Sequence, residues 1–205
     1  MSSLIIKSKN SMMMGANCYM VSDGENYIII DPAVNYEIMK KMAVGNLVGV
    51  LITHGHFDHI DELASYLHLS NIKIYAHKNC MEKLISPVKN CSKLMGNDLK
   101  FTLDERFVTI KDGDILDILK TNIAVLETKG HTNCSVTYII ADNMFTGDFL
   151  FKGAIGRTDL YSGDNGVMEK SLKMIKNILE NYVVYPGHGP NTTLNDEKRN
   201  NMYLL

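Results

Sequence analysis

Residues 53–61 read THGHFDHID, and they follow the apolar run LVGVLI at 47–52. Three of the chain's seven histidines and two of its aspartates fall in these nine positions. An apolar, β-branched run that stops at a polar, glycine-containing segment reads as a buried strand feeding a loop. In extended backbone, residues two apart project to the same side, so His54 and His56 can face one ion while the following turn aims Asp58 and His59 elsewhere. Imidazole nitrogen and carboxylate oxygen are donors for Zn²⁺, Fe or Mn²⁺, and a catalytic zinc keeps one position open for water.

The rest of the chain repeats this layout. Apolar runs at about 4–8, 17–22, 26–31, 47–53, 73–76, 123–127, 135–140, 144–146 and 182–185 read as strands, mostly bounded by Gly, Asn or Asp. Helical spacing marks 34–44, 60–70, 79–85 and 167–180, so the fold class is mixed α+β or α/β. Thr193, with Asp196 three residues on, resembles a capping box opening a last short helix. Residues 104–120, DERFVTIKDGDILDILK, read as two short strands hinged at Asp112-Gly113, a hairpin signal. No linker or repeat divides the chain, and the expectation is one domain over residues 1–205.

Several strands end in polar residues: Asp31-Pro32, Thr53-His54, Gly130-His131, Gly147-Asp148 and Gly187-His188. If those ends share one edge of packed sheets, their side chains converge on one site. His131, Asp148 and His188 are therefore further ligand candidates, and a carboxylate at 148 can bridge two ions with its two oxygens. His68 and His77 belong to no such motif and read as surface or packing residues.

Composition excludes other classes. Hydrophobic residues are 45%, charged residues 21% and the net charge −2, which is ordinary globular usage with no basic footprint for nucleic acid. No run approaches a membrane span and residues 1–15 lack a signal-peptide core, so the expected compartment is the cytoplasm and the expected partner a small-molecule substrate. The oligomeric state is not legible. Cys18, Cys80, Cys91 and Cys134 form no C-x-x-C pair and read as reduced, buried thiols, a Cys80–Cys91 bridge being disfavoured in the cytosol. Met12-Met13-Met14 reads as core filler.

The elements THGHFDH, GHT, GD and PGHG, in this order and with ANCYMV and IIIDPA upstream, resemble the metallo-β-lactamase-fold hydrolase superfamily. The likeness runs through nearly the whole chain. It implies a four-layer αβ/βα sandwich with two divalent metal ions, most simply zinc, at the edge between two sheets. It further implies that His54, His56 and His131 bind one ion and Asp58, His59 and His188 a second, with Asp148 bridging. Asp58 would also orient the nucleophile and carry its proton. Gly156-Arg157-Thr158-Asp159 is similar to an element of the glyoxalase II-like branch, which implies cleavage of a thioester or similar activated acyl compound by a metal-bridging hydroxide. Asp148, where true β-lactamases generally have Cys or Ser, disfavours antibiotic hydrolysis. The few residues after His188 leave little of the helical region that holds glutathione in classical members, so the thiol carrier is open. Two other functions stay in play, an iron-dependent persulfide dioxygenase and a non-enzymatic metal-binding module.

Two residues sit beside this set. Asp31 either accepts a hydrogen bond from a ligand histidine or shapes its turn. Arg157 either clamps a substrate carboxylate or pairs with Asp159 to order the loop, the second being favoured.

Overall fold

The computed structural model describes residues 4–205. The strands β1 (Ile5–Asn10), β2 (Asn17–Ser22) and β3 (Asn26–Ile30) run antiparallel. The next three, β4 (Asn46–Ile52), β5 (Lys73–His77) and β6 (Phe107–Ile110), extend the sheet in parallel in the order β1-β2-β3-β4-β5-β6. In the second sheet, β7 (Ile115–Leu116), β8 (Ile123–Glu127), β9 (Val136–Ile140) and β10 (Asn143–Gly147) are antiparallel neighbours. A small hairpin of β11 (Leu150–Phe151) and β12 (Ala154–Ile155) follows. Then β13 (Val183–Pro186) joins β10 in parallel, and β14 (Thr192–Thr193) closes that edge. Helices α1 (Tyr36–Lys40), α2 (Phe57–Ile60) and α3 (Met81–Leu84) belong to the first half, α4 (Asn165–Lys176) and α5 (Leu194–Asn200) to the second.

The period of two along each strand sorts the side chains into three cores. In β2, Cys18 and Met20 turn toward the core shared with α1, α2 and α3, while Tyr19 and Val21 turn toward the other sheet. In β3, Ile28 and Ile30 likewise meet Val125, Tyr138 and Phe145 between the sheets. In β10, Phe145 faces that middle layer and Met144 faces Met168, Leu172 and Ile175 of α4. Four layers result: helices, sheet, sheet, helices. Sheets buried on both faces explain why the strands read as continuous apolar runs rather than alternations. Among the described residues, no helix is long and apolar enough to cross a membrane.

Local signals decide most helix starts. Asp164 caps α4 by accepting the Val167 amide at 2.9 Å, and Met168, Ser171, Leu172 and Ile175 form its buried stripe. Thr193 caps α5 through the Asp196 amide at 3.2 Å. The segment 60–70 departs from its helical expectation. It holds Ile60, the last residue of α2, and a 3₁₀ turn at Leu63–Ser65, where the amides of Ser65, Tyr66, Leu67 and Leu69 each reach three residues back instead of four, and Arg106 takes the carbonyls of Leu67 and Leu69 where the turns end. Asp61, within that stretch, is the C-terminal cap residue of α2.

The hairpin expected at Asp112-Gly113 is also corrected. The turn exists, with Gly113 at φ +79°, but β6 pairs with β5 and β7 with β8, so the chain crosses there from one sheet to the other. Met12, Met13 and Met14 are exposed in the β1–β2 connection rather than packed in a core. All four cysteines are free and buried, and the thiol beside Cys80 is Cys134, not Cys91.

Candidate metal centre

Strands β3 and β4 are parallel, and β8, β10 and β13 share a direction because β9 is antiparallel to both of its neighbours. Their C-terminal ends therefore deliver Asp31, His54, His131, Asp148 and His188 to one edge, as the strand-end pattern requires. Immediately after β4, the turn α2 presents Asp58 and His59. Seven candidate ligands from five segments meet there.

His54, His56 and His131 form one cluster and Asp58, His59 and His188 another, each able to place one donor atom per residue within 4.8 Å of the others. In the first, His131 Nε2 lies 2.8 Å from His56 Nδ1, and the ring centroids of His54 stand 4.9 Å from those of both partners. In the second, His188 Nε2 is 3.1 Å from Asp58 Oδ2 and 3.3 Å from His59 Nε2. Asp148 reaches both. Its Oδ1 is 3.2 Å from His59 Nε2, and its Oδ2 is 3.6 Å from His131 Nε2 and from His188 Nε2.

Three buried side-chain atoms among the described residues lack a hydrogen-bond partner: His54 Nε2, His56 Nε2 and Asp148 Oδ1. All three belong to this centre. Leaving such atoms unpaired costs about 1–3 kcal/mol each, and a cation between the clusters would satisfy all three together. The residues present fit a metal site.

The other ring nitrogens are tied down, which fixes tautomers. His59 Nδ1 donates to Asp31 Oδ2 at 2.9 Å and His131 Nδ1 donates to the Arg157 carbonyl at 2.7 Å, leaving Nε2 of each as a lone-pair donor. His54 Nδ1 sits 3.1 Å from Thr53 Oγ1. Asp31 also accepts the Thr53 amide and hydroxyl, both at 2.7 Å. Of the two readings for Asp31, the hydrogen bond to a ligand-candidate histidine is the one observed. Asn17 holds the His188 loop, donating to the carbonyls of Pro186 and Gly189 at 2.9 and 3.0 Å.

The family described as Metallo-beta-lactamase superfamily matches residues 13–188. The chain belongs to this superfamily. It is 30% identical over 196 residues to hydroxyacylglutathione hydrolase GloC of Haemophilus influenzae, spanning 92% of each chain. Its structure is similar to that of the BLEG-1 B3 metallo-beta-lactamase, with TM-score 0.88, 30% identity and 98% and 99% of the two chains covered. It is also similar to TTHA1623 in a di-iron-bound form, with TM-score 0.84, 27% identity and 97% and 100% covered.

In this superfamily member the metal-free electrostatics are those of a cation trap. Burial, reinforced by neighbouring imidazoles, pushes His54 well below the ordinary histidine range and His56 down to about 3. Burial lowers His131 too. Burial works against both Asp148 and His59, yet the attraction between them keeps the carboxyl ionised and the imidazole protonated, with Asp58 and Asp31 adding to the latter. A metal displaces that proton.

A pH dependence follows for protein stripped of metal. Below the ordinary histidine value of 6.5, the unfolded chain protonates His54, His56 and His131 while the folded chain resists. Stability is lost as pH falls toward the folded value of about 3 for His56, at up to about 1.4 kcal/mol per pH unit per imidazole. His59 has the opposite sign: its stabilisation is complete below 6.5 and is lost as pH rises through its folded value, so it adds no slope in the acid window. Chelated protein should show a lower urea midpoint at pH 5 than at pH 7. A midpoint that holds or rises would mean these imidazoles are not kept neutral.

A cavity of about 290 Å³ opens on the centre, with His56, Asp58, His131, Asp148 and His188 at its base. Met14, Phe57, Phe151 and Leu160 give it apolar walls, and Cys91 and Arg157 complete the rim. Met14 reads as core filler in the sequence, and Phe57, Phe151 and Leu160 carry no mark there, because isolated hydrophobic side chains in short elements and turns have no periodic signal. Arg157 pairs its guanidinium with Asp159 at 2.6 and 2.7 Å in the open, the loop ion pair that was favoured, while its carbonyl anchors His131. His77 is buried with Nε2 2.8 Å from Glu127 Oε1, and His68 is exposed; neither joins the centre.

Gly187 shows how tightly the superfamily site is built here. A Cβ at 187 would overlap Asp148 Oδ1 and come within 2.7 Å of His59 Cε1. Gly187→Ala is expected to reduce metal affinity by at least the roughly 10–100-fold typical of a disturbed ligand shell, as measured by chelator competition. Unchanged affinity would show that the loop yields freely.

Proposed function

We propose that this metallo-hydrolase cleaves a thioester or similarly activated acyl compound, using two divalent ions held by the seven residues of the centre. The observation that carries the reading is Asp148, placed within 3.6 Å of imidazoles from both clusters and with Oδ1 unpaired. His54, His56 and His131 would hold one ion and Asp58, His59 and His188 the other, with Asp148 placed to serve both. Zinc suits this donor set best, with iron or manganese as alternatives. When bound, the ions supply Lewis acidity for water activation and carbonyl polarisation.

The chain's own residues do the rest. Asp58 lines the cavity with its carboxylate held ionised, against burial, by His59 and His188, so it can accept a proton of the attacking water and orient it. The apolar walls hold the acyl part and exclude bulk water. Each titratable group at the cavity base is a ligand candidate, and the proton that Asp58 accepts is the one those groups have to give, so a leaving group that needs no acid suits the site. A thiolate, whose conjugate acid has a pKa near about 8.5, departs without one. The glutathione thioester named for the Haemophilus influenzae relative is the first compound to try. Four free, buried thiols suit a reducing compartment, the cytoplasm.

The test is metal analysis of protein purified without added metal, followed by a panel of hydroxyacylglutathione, other thioesters, lactones, a β-lactam and a persulfide. Two metal equivalents, thioester turnover, its loss on chelation and its return with Zn²⁺, Fe or Mn²⁺ are expected. Turnover that survives complete metal removal overturns the proposal. One iron with oxygen uptake on a persulfide replaces it with a dioxygenase, and metal binding without any turnover replaces it with a binding module.

A further inference from the structure

Lys83, in α3, has a side chain with 0% exposure, an unusual place for an amine. Its Nζ donates to Asn133 Oδ1 at 2.6 Å, stands 3.7 Å from Glu82 Oε1 and lies 5.2 Å from the centre of the Tyr161 ring. Its methylene stem lies under Gly55, where an added Cβ would come within 2.7 Å of Lys83 Cβ and 3.0 Å of Cδ. Gly55 separates His54 from His56, and Asn133 is two residues beyond His131. One side chain thus touches both loops that carry the first ligand cluster.

Its backbone reaches a third segment. The Lys83 carbonyl accepts Asn90 Nδ2 at 3.1 Å, and the Asn90 carbonyl accepts the amide of Phe57, the residue that opens α2 before Asp58 and His59. Filling volume alone would be served by Met or Leu, with no buried charge to compensate. A buried ammonium is retained at a cost, and here its short hydrogen bond spans the gap between two ligand loops.

We infer that Lys83 is a positioning residue for the metal centre, setting the separation of the His54–His56 loop from the His131 loop and so the geometry and affinity of the first ion site. This rests on the metal-centre reading above. Neither loop is held to the other by a covalent link, and outer contacts of this kind commonly control metal affinity by about 10–100-fold.

Cobalt titration of chelated, dialysed protein tests it, with affinity read by competition with a chromophoric chelator and geometry by the visible Co²⁺ spectrum. Lys83→Met, which keeps the stem and removes the charge, should weaken Co²⁺ binding by about 10–100-fold and shift the spectrum. Lys83→Arg should recover part of the loss, and Asn133→Leu, which removes the acceptor and leaves Lys83 in place, should reproduce it. A lower melting temperature of metal-free Lys83→Met with wild-type affinity and spectrum would assign Lys83 to packing alone and overturn the inference. If Lys83→Met does not fold, Asn133→Leu with wild-type affinity and spectrum overturns it equally. Wild-type protein that binds no Co²⁺ would instead remove the metal centre itself.

Discussion

Asp148→Asn is expected to fold, to hold one metal equivalent where the wild type holds two, and to lose turnover by about 10⁴-fold, the scale seen when one member of a catalytic unit is removed. The reasoning is geometric. The two carboxylate oxygens face different imidazoles, Oδ1 toward His59 and Oδ2 toward His131 and His188. An amide keeps one oxygen and turns the other donor into an NH₂, which cannot ligate a cation. It also removes the negative charge that keeps His59 protonated without metal, so His59 should titrate lower in the variant. Metal analysis and kcat/KM on the same preparation check the claim. Two equivalents with near wild-type kcat/KM would show that Asp148 does not bridge.

Asp31→Ala is expected to damage stability and metal binding together. Its carboxylate accepts three hydrogen bonds at a site 2% exposed, from the Thr53 amide, the Thr53 hydroxyl and His59 Nδ1. Losing the acceptor leaves buried donors unpaired at about 1–3 kcal/mol each. His59 then loses the contact that fixes its tautomer, at about 10–100-fold in metal affinity. Asp31 also stands at φ +53°, a conformation Asn tolerates better than Ala. Asp31→Asn therefore separates the effects: the backbone stays comfortable and one acceptor oxygen remains, so its urea midpoint should lie between those of wild type and Asp31→Ala. Equal midpoints for all three would mean that these three hydrogen bonds add nothing to stability.

The strand-end residues were legible because two-faced burial writes itself as apolar runs, and the residue at which each run stops is visible without knowing the partner. Asp31 is visible for the same reason, and a bond from a ligand histidine is one of its two readings; that the histidine is His59, 28 residues away, is written nowhere locally. Segment 60–70 carries helical spacing, yet its amides close three-residue turns, and over so short a stretch that spacing does not separate a 3₁₀ turn from an α-helix. Met12 to Met14 show the converse, for hydropathy cannot say whether a three-residue turn faces inward. Lys83 carries no mark in the sequence, and it is Gly55, Asn133 and Tyr161, all distant along the chain, that make it interior.

The direction shared by β8, β10 and β13 and the parallel pairing of β3 with β4 have a mechanical consequence. The two sheets lie face to face, and the candidate ligands come from both, His54 and Asp58 from one side and His131, Asp148 and His188 from the other. An ion caught between them is a clasp as much as a reagent. At a thousandfold excess over its dissociation constant a single such ion adds about 4 kcal/mol to the folded state, comparable to a disulfide. The four thiols remain unjoined, and the clasp would open and close with metal supply rather than with oxidation.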